Sequence, residues 1–158
     1  MTLKSRIKEL NLVHLSLSIL MTLFIWTNSL LPGHLSSEQS GFFVEIASSL
    51  FQRININVPI DQLSFWIRKL AHFTQFFILG LLWMITLNKS RLNHTHALTT
   101  VILIGLITAL IDEGIQIFVP NRGSSLIDVA IDLLGVITAG LMIQIFNQLK
   151  LRQQKHTS

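Results

Sequence analysis

The sequence predicts an all-α, polytopic membrane protein with four transmembrane helices and a short extracytoplasmic amphipathic helix. Three observations predict it. Half of the 158 residues are hydrophobic and only 13% are charged, against about 25% in a soluble domain. Mean hydropathy is +0.57. Apolar runs of about 20 residues recur along the chain, the length needed to cross a hydrocarbon core roughly 30 Å thick. A chain of 158 residues is expected to form one domain, here with spans near 10–31, 63–87, 97–119 and 126–149.

The first apolar run follows Lys4, Arg6 and Lys8. It is too long for the core of a secretory signal and no small-residue cleavage site follows it, so it reads as a retained span. Pro32-Gly33 ends it with turn chemistry. From Pro32 to Asp61 the chain is a polar connection, in which Phe43, Ile46, Ala47, Leu50, Phe51 and Ile54 recur at helical spacing. This is the expected amphipathic helix, either lying at the interface or packed on the spans. The second span carries Arg68, Lys69 and His72 in its first turns before Phe73 to Leu87 turns nearly all apolar. A loop with Lys89, Arg91, His94 and His96 leads to the third span, which Pro120-Asn121 closes. His94 and His96 have no third ligand nearby and read as solvent or headgroup contacts. After a tight connection the fourth span precedes Lys150, Arg152 and Lys155.

The net charge of +4 would suit nucleic acid, but the basic residues flank apolar spans instead of forming one polar face, so no nucleic-acid partner is expected. They mark the amino terminus, the loop after the second span and the carboxyl terminus. The positive-inside rule therefore places both termini in the cytoplasm. Cysteine is absent, which removes disulfides and thiolate metal sites.

With that topology, a helical rise of about 1.5 Å per residue puts His72, Glu113 and Asp132 on the order of 10 Å below the outer surface. Lys69, Gln116 and Asp128 lie nearer to it. Residues three or four apart share a helix face, as Lys69 and His72, Glu113 and Gln116, and Asp128 and Asp132 do. Gly80, Gly105, Gly114, Gly135 and Gly140 are expected to let helices approach closely. Ionisable groups inside a membrane are a functional-site hypothesis by default.

RKLAHFTQFFILG followed by DEGIQIFVPNRGSSLIDVAIDLLG resembles the VanZ-like family of small bacterial membrane proteins, and SLLPGHLSSEQS looks like its Ser-rich segment after the first span. The resemblance covers about Asn28 to Gly140, through Lys69, His72, Phe73, Asp112, Glu113, Gln116, Pro120, Arg122, Asp128 and Gly135. It implies a bacterial plasma membrane and a link to lowered susceptibility to the glycopeptide antibiotic teicoplanin. Four positions depart from the family pattern. Gln75 and Phe76 stand where many members carry Glu and Tyr. Asn121 replaces a Gly, a mild change because Asn tolerates positive φ. Asp132 stands where Asn is frequent.

Three readings of the cluster follow. The first is an outer-leaflet pocket that binds a membrane lipid, a lipid-linked envelope precursor or a glycopeptide antibiotic. Lys69 and Arg122 would clamp the anionic group, and Gln116, Asp128, Asp112 and Asp132 would complete the binding residues. The second is a membrane-embedded hydrolase or transferase with His72 and Glu113 as its catalytic acid–base pair. The third is a structural network in which Lys69, Arg122, Glu113 and Asp128 pair with one another. No cofactor motif is present. A metal is not expected, because no HExxH spacing occurs and Lys69 and Arg122 would oppose a cation. Ser29, Ser36 and Ser37 would be nucleophiles only if the outer loop folds back over the pocket. Phe73, Phe76, Phe77 and Trp83 read as lipid-facing or core residues.

Overall fold

The computed structural model describes residues 12–88 and 94–156. They form five helices: α1 (Leu12–Ser29), α2 (Gly33–Arg53), α3 (Ile60–Asn88), α4 (His94–Gln116) and α5 (Leu126–His156). All but α2 contain a stretch long and apolar enough to cross a membrane. In those stretches only 17% to 39% of the residues are buried in the protein. Their outer faces, with Leu20, Phe24, Leu103, Ile107, Leu134 and Phe146 exposed, therefore suit lipid. The basic residues Lys4, Arg6, Lys8, Lys89 and Arg91 lie outside the described residues.

The interior is apolar toward one end and polar toward the other. Ile25 from α1, Phe76, Leu79 and Met84 from α3, Ala97, Val101 and Ala109 from α4, and Val129 and Val136 from α5 make the buried apolar core. In lipid the association of helices rests on close packing and hydrogen bonds, since hydrocarbon surrounds them on every side. The most extensive interface joins α3 to α5, and Gly135 is what permits it. A Cβ there would lie 2.5 Å from the Phe73 carbonyl oxygen and 2.9 Å from the Phe77 amide nitrogen. Gly80 and Gly105 both pack on Val136, and Gly140 on Leu98, whereas Gly114 has no neighbour within 4 Å. Polar ties supplement this half. Ser18 and Thr86 share a buried hydrogen bond of 3.0 Å, and the Trp26 indole donates to the Thr108 carbonyl at 3.3 Å. Phe76 is fully buried, while Phe73 and Phe77 stack at 6.2 Å.

Two differences from the sequence reading bear on the polar end. The third span ends at Gln116 instead of Val119, because the chain turns with the Phe118 amide on Ile115 and the Val119 amide on Gln116. The polar connection after the first span contains a helix of 21 residues, α2, that starts directly after Pro32. Its serine hydroxyls are satisfied by bonding back along the helix, Ser37 to the Gly33 carbonyl at 2.8 Å and Ser49 to the Glu45 carbonyl at 2.9 Å. Val44 is the one buried residue of α2, and Phe42, Phe43, Ile46, Leu50 and Ile54 are exposed. An apolar face left open in this way suits a helix lying in the membrane interface.

The α1–α2 corner docks on the α4–α5 connection and fixes the polar end. The Gly33 amide donates to the Pro120 carbonyl at 3.1 Å. The next residue, Asn121, takes the left-handed conformation at φ 59°, as the replacement of a Gly there requires. A side chain on Gly33 would run into the Asn121 carbonyl.

Candidate functional site

Four elements converge at the polar end. The first half of α3 presents Arg68, Lys69, His72 and Gln75, and the last turns of α4 present Asp112, Glu113 and Gln116. The first turns of α5 present Asp128 and Asp132, and Arg122 comes from the connection between α4 and α5. Asp112, Glu113, Gln116, Asp128 and Asp132 are all buried, and each burial demands a partner.

Lys69 donates to Asp128 in a largely buried ion pair, and its ammonium also lies 5.0 Å from the centre of the Phe65 ring. The pair ties α3 to α5. Asp112 is held from two sides: the Ser29 hydroxyl donates to its Oδ1 and Gln116 Nε2 to its Oδ2 at 2.9 Å. Ser29, the last residue of α1, thereby links that helix to α4. Glu113 Oε2 accepts the Ser125 amide at 2.6 Å, fixing the residue that precedes α5. The Ser125 hydroxyl in turn accepts the Ile127 amide at 3.2 Å, the role of a helix N-cap.

His72 Nδ1 faces Asp132 Oδ1 at 3.4 Å. This approach is too loose to satisfy either group, since both of these atoms, together with Asp132 Oδ2 and Glu113 Oε1, are buried without a hydrogen-bond partner. His72, Asp112, Glu113 and Asp132 each offer a ligand atom, and these atoms lie within 4.8 Å of one another. The sequence-predicted set is thus brought together in two groups. Lys69 with Asp128 forms one, and His72 with the other acids forms the second.

Arg122 belongs to neither group. Its Nε donates to the Leu31 carbonyl at 3.2 Å and its Nη2 to the Asn28 carbonyl at 3.0 Å, so the fork grips the end of α1. Burial lowers its pKa from the ordinary guanidinium value, with Asp112 opposing that shift and Arg68 adding to it. The group remains cationic, as guanidinium does in proteins. Arg68 is exposed, and no hydrogen bond or ion pair among the described residues engages it.

Two hollows meet at these residues. One, of about 370 Å³, lies between α1, α2 and α3 and is walled by Phe24, Phe43 and Ile67 on its apolar side and by Ser29, Ser36, Gln39 and Gln75 on its polar side. The other, of about 580 Å³, lies between α3 and the chain from Gln116 to Asp128. Arg68, His72 and Arg122 line both. The sequence puts Arg68 in the pocket wall but not in the anion clamp, for which Lys69 and Arg122 are the expected pair. One helical position turns Arg68 by about 100°, away from Asp128 and toward the hollows. The sequence left open whether the outer loop folds back over the pocket, and α2 does so in part. It brings Ser36 to the hollow while the Ser37 hydroxyl bonds back to its own helix. The bonding of Arg122 to carbonyls carries no sequence signal at all.

A bundle of four apolar helices with an ionisable cluster at one end defines a multi-pass membrane protein with a polar cavity. The chain belongs to the VanZ/LLP1 family, whose family model matches residues 14–147. No protein of curated function and no solved structure matches it.

Proposed function

We propose that the chain binds the anionic headgroup of an envelope lipid or lipid-linked precursor, which enters the hollow between α1, α2 and α3 from the outer leaflet. The observation that carries this reading is the placement of two like charges, Arg68 and Arg122, on the wall of one hollow where they oppose each other electrostatically. An anion between them relieves that repulsion. Arg68 has its full donor set to offer, and guanidinium forks match phosphate or carboxylate. The apolar wall of Phe24, Phe43 and Ile67 would take the first segments of the lipid tail, and a volume of about 370 Å³ falls within the range of small-molecule sites, roughly 300–1,000 Å³.

The orientation follows from the charges. Lys150 and Arg152 end α5 at the far side of the bundle. The positive-inside rule puts them in the cytoplasm with both termini and puts the polar end outside. Lys69, which the sequence reading placed in the anion clamp, is instead neutralised by Asp128, so Arg68 takes its place beside Arg122. Binding of an anion is favoured over acid–base chemistry by the two arginines on the wall of one hollow.

Native mass spectrometry of protein extracted with its surrounding lipids tests the reading. We expect an anionic lipid or lipid-linked precursor to be retained, and Arg68→Gln to reduce it at least tenfold. Equal retention by that variant, or retention of zwitterionic lipid alone, overturns the proposal. Retention of an added glycopeptide without any lipid moves the same site to the antibiotic.

A further inference from the structure

We propose that His72, Asp112, Glu113 and Asp132 form a binding site for one divalent metal ion, with one imidazole nitrogen and three carboxylate oxygens as donors. The inference stands apart from the lipid reading, which is carried by Arg68 and Arg122, although His72 and Ser29 also border that hollow.

Geometry is the first support. The four side chains come from α3, α4 and α5, and their ligand atoms lie within 4.8 Å of one another. Around an ion bound at about 2.1 Å, donor atoms stand up to roughly 4.2 Å apart. Small side-chain rotations close that difference.

The second support is an unmet demand. Asp132 is fully buried, and neither of its carboxylate oxygens has a hydrogen-bond partner. Glu113 is 3% exposed, and its Oε1 is likewise without a partner. Buried acceptors of this kind are rare and call for an explanation. The protein's own cations do not supply one. Lys69 is neutralised by Asp128, and Arg122, although still cationic, spends its hydrogen bonds on the carbonyls of Asn28 and Leu31 and not on the three acids. Three carboxylates are thus gathered with one imidazole as partner, His72 Nδ1 standing 3.4 Å from Asp132 Oδ1 without a hydrogen bond.

The third support is the way the acids are held. Glu113 receives the Ser125 amide on one oxygen and leaves the other toward the cluster. Asp112 is fixed by Ser29 and Gln116, each oxygen keeping a lone pair. Hydrogen bonds that orient ligating carboxylates from outside are what a metal site needs. With hard oxygens, one imidazole and no thiolate, the donor set suits Mn²⁺ or Zn²⁺.

The test uses the untagged full chain in detergent, stripped with chelator and titrated with MnCl₂ while bound Mn²⁺ is counted by electron paramagnetic resonance. We expect one ion per chain, displaced by Zn²⁺, with a ¹⁴N coupling from the imidazole that is lost in His72→Gln. Asp132→Asn should weaken binding at least tenfold. If that variant fails to fold, Ser29→Ala, which removes a donor to Asp112 and a bond back to the Ile25 carbonyl but no ligand, should weaken binding about tenfold. Binding in the wild type no stronger than in Asp132→Asn, or bound Mn²⁺ without nitrogen coupling, overturns the site in favour of carboxyl groups that share protons. Arg68→Gln should keep the ion while losing the lipid, so either proposal can fail without the other.

Discussion

The two ends of the bundle solve the same problem in opposite ways. Around Gly80, Gly105, Val136 and Ala139 the helices meet side chain to backbone, and the few polar groups close on each other, as Ser18 does with Thr86. Around His72, Asp112, Glu113 and Asp132 buried acceptors go unpartnered, and His72 borders open hollows. Close packing and an open polar cavity thus lie at separate depths of one fold. The packed half holds the helices in register, and that register positions charges which could not assemble unaided.

The largest expected effect attacks the packed half. Gly135→Leu places its side chain against the backbone of α3, where Phe73 and Phe77 cannot yield. The cost should exceed about 3 kcal/mol, read as loss of a monodisperse peak and of cooperative unfolding. Next comes the ion pair that joins α3 and α5 at the polar end. Lys69→Met leaves Asp128 buried without its cation and should cost about 2–3 kcal/mol. In a double-mutant cycle Lys69→Met with Asp128→Leu should recover most of that loss. If it does not, Lys69 has a further role.

A smaller effect is expected at the corner. Arg122→Lys keeps the charge but cannot span both the Asn28 and Leu31 carbonyls, so about 1–1.5 kcal/mol should be lost in denaturant unfolding. The smallest is Ser18→Ala, worth about 0.6 kcal/mol for a hydrogen bond between membrane helices. Thr86 keeps its bond to the Leu82 carbonyl at 2.8 Å, which holds the loss down.

Much of this division could be read in the sequence because hydropathy and helical spacing report which residues face lipid and which share a face. The four spans and the gathering of Lys69, His72, Glu113, Asp128 and Asp132 at one end came from those two rules. What they could not supply is partner choice. Lys69 and Arg122 look equivalent in sequence, yet one finds a carboxylate and the other two carbonyls, and backbone acceptors carry no residue-type mark. The length of α2 was hidden because serine scores as polar linker, although its hydroxyl bonds back to the helix that it sits in. The end of α4 was hidden for a related reason. Ile117, Phe118 and Val119 are apolar, but the chain is already turning toward Pro120.

The most direct test measures bound anionic lipid and unfolding together in Arg68→Gln and Ser18→Ala. The account predicts a crossed result: Arg68→Gln loses lipid at least tenfold and unfolds like the wild type, while Ser18→Ala keeps its lipid and loses a little stability. Loss of lipid in step with stability in both variants, or full retention in Arg68→Gln, would contradict the separation of packing from binding.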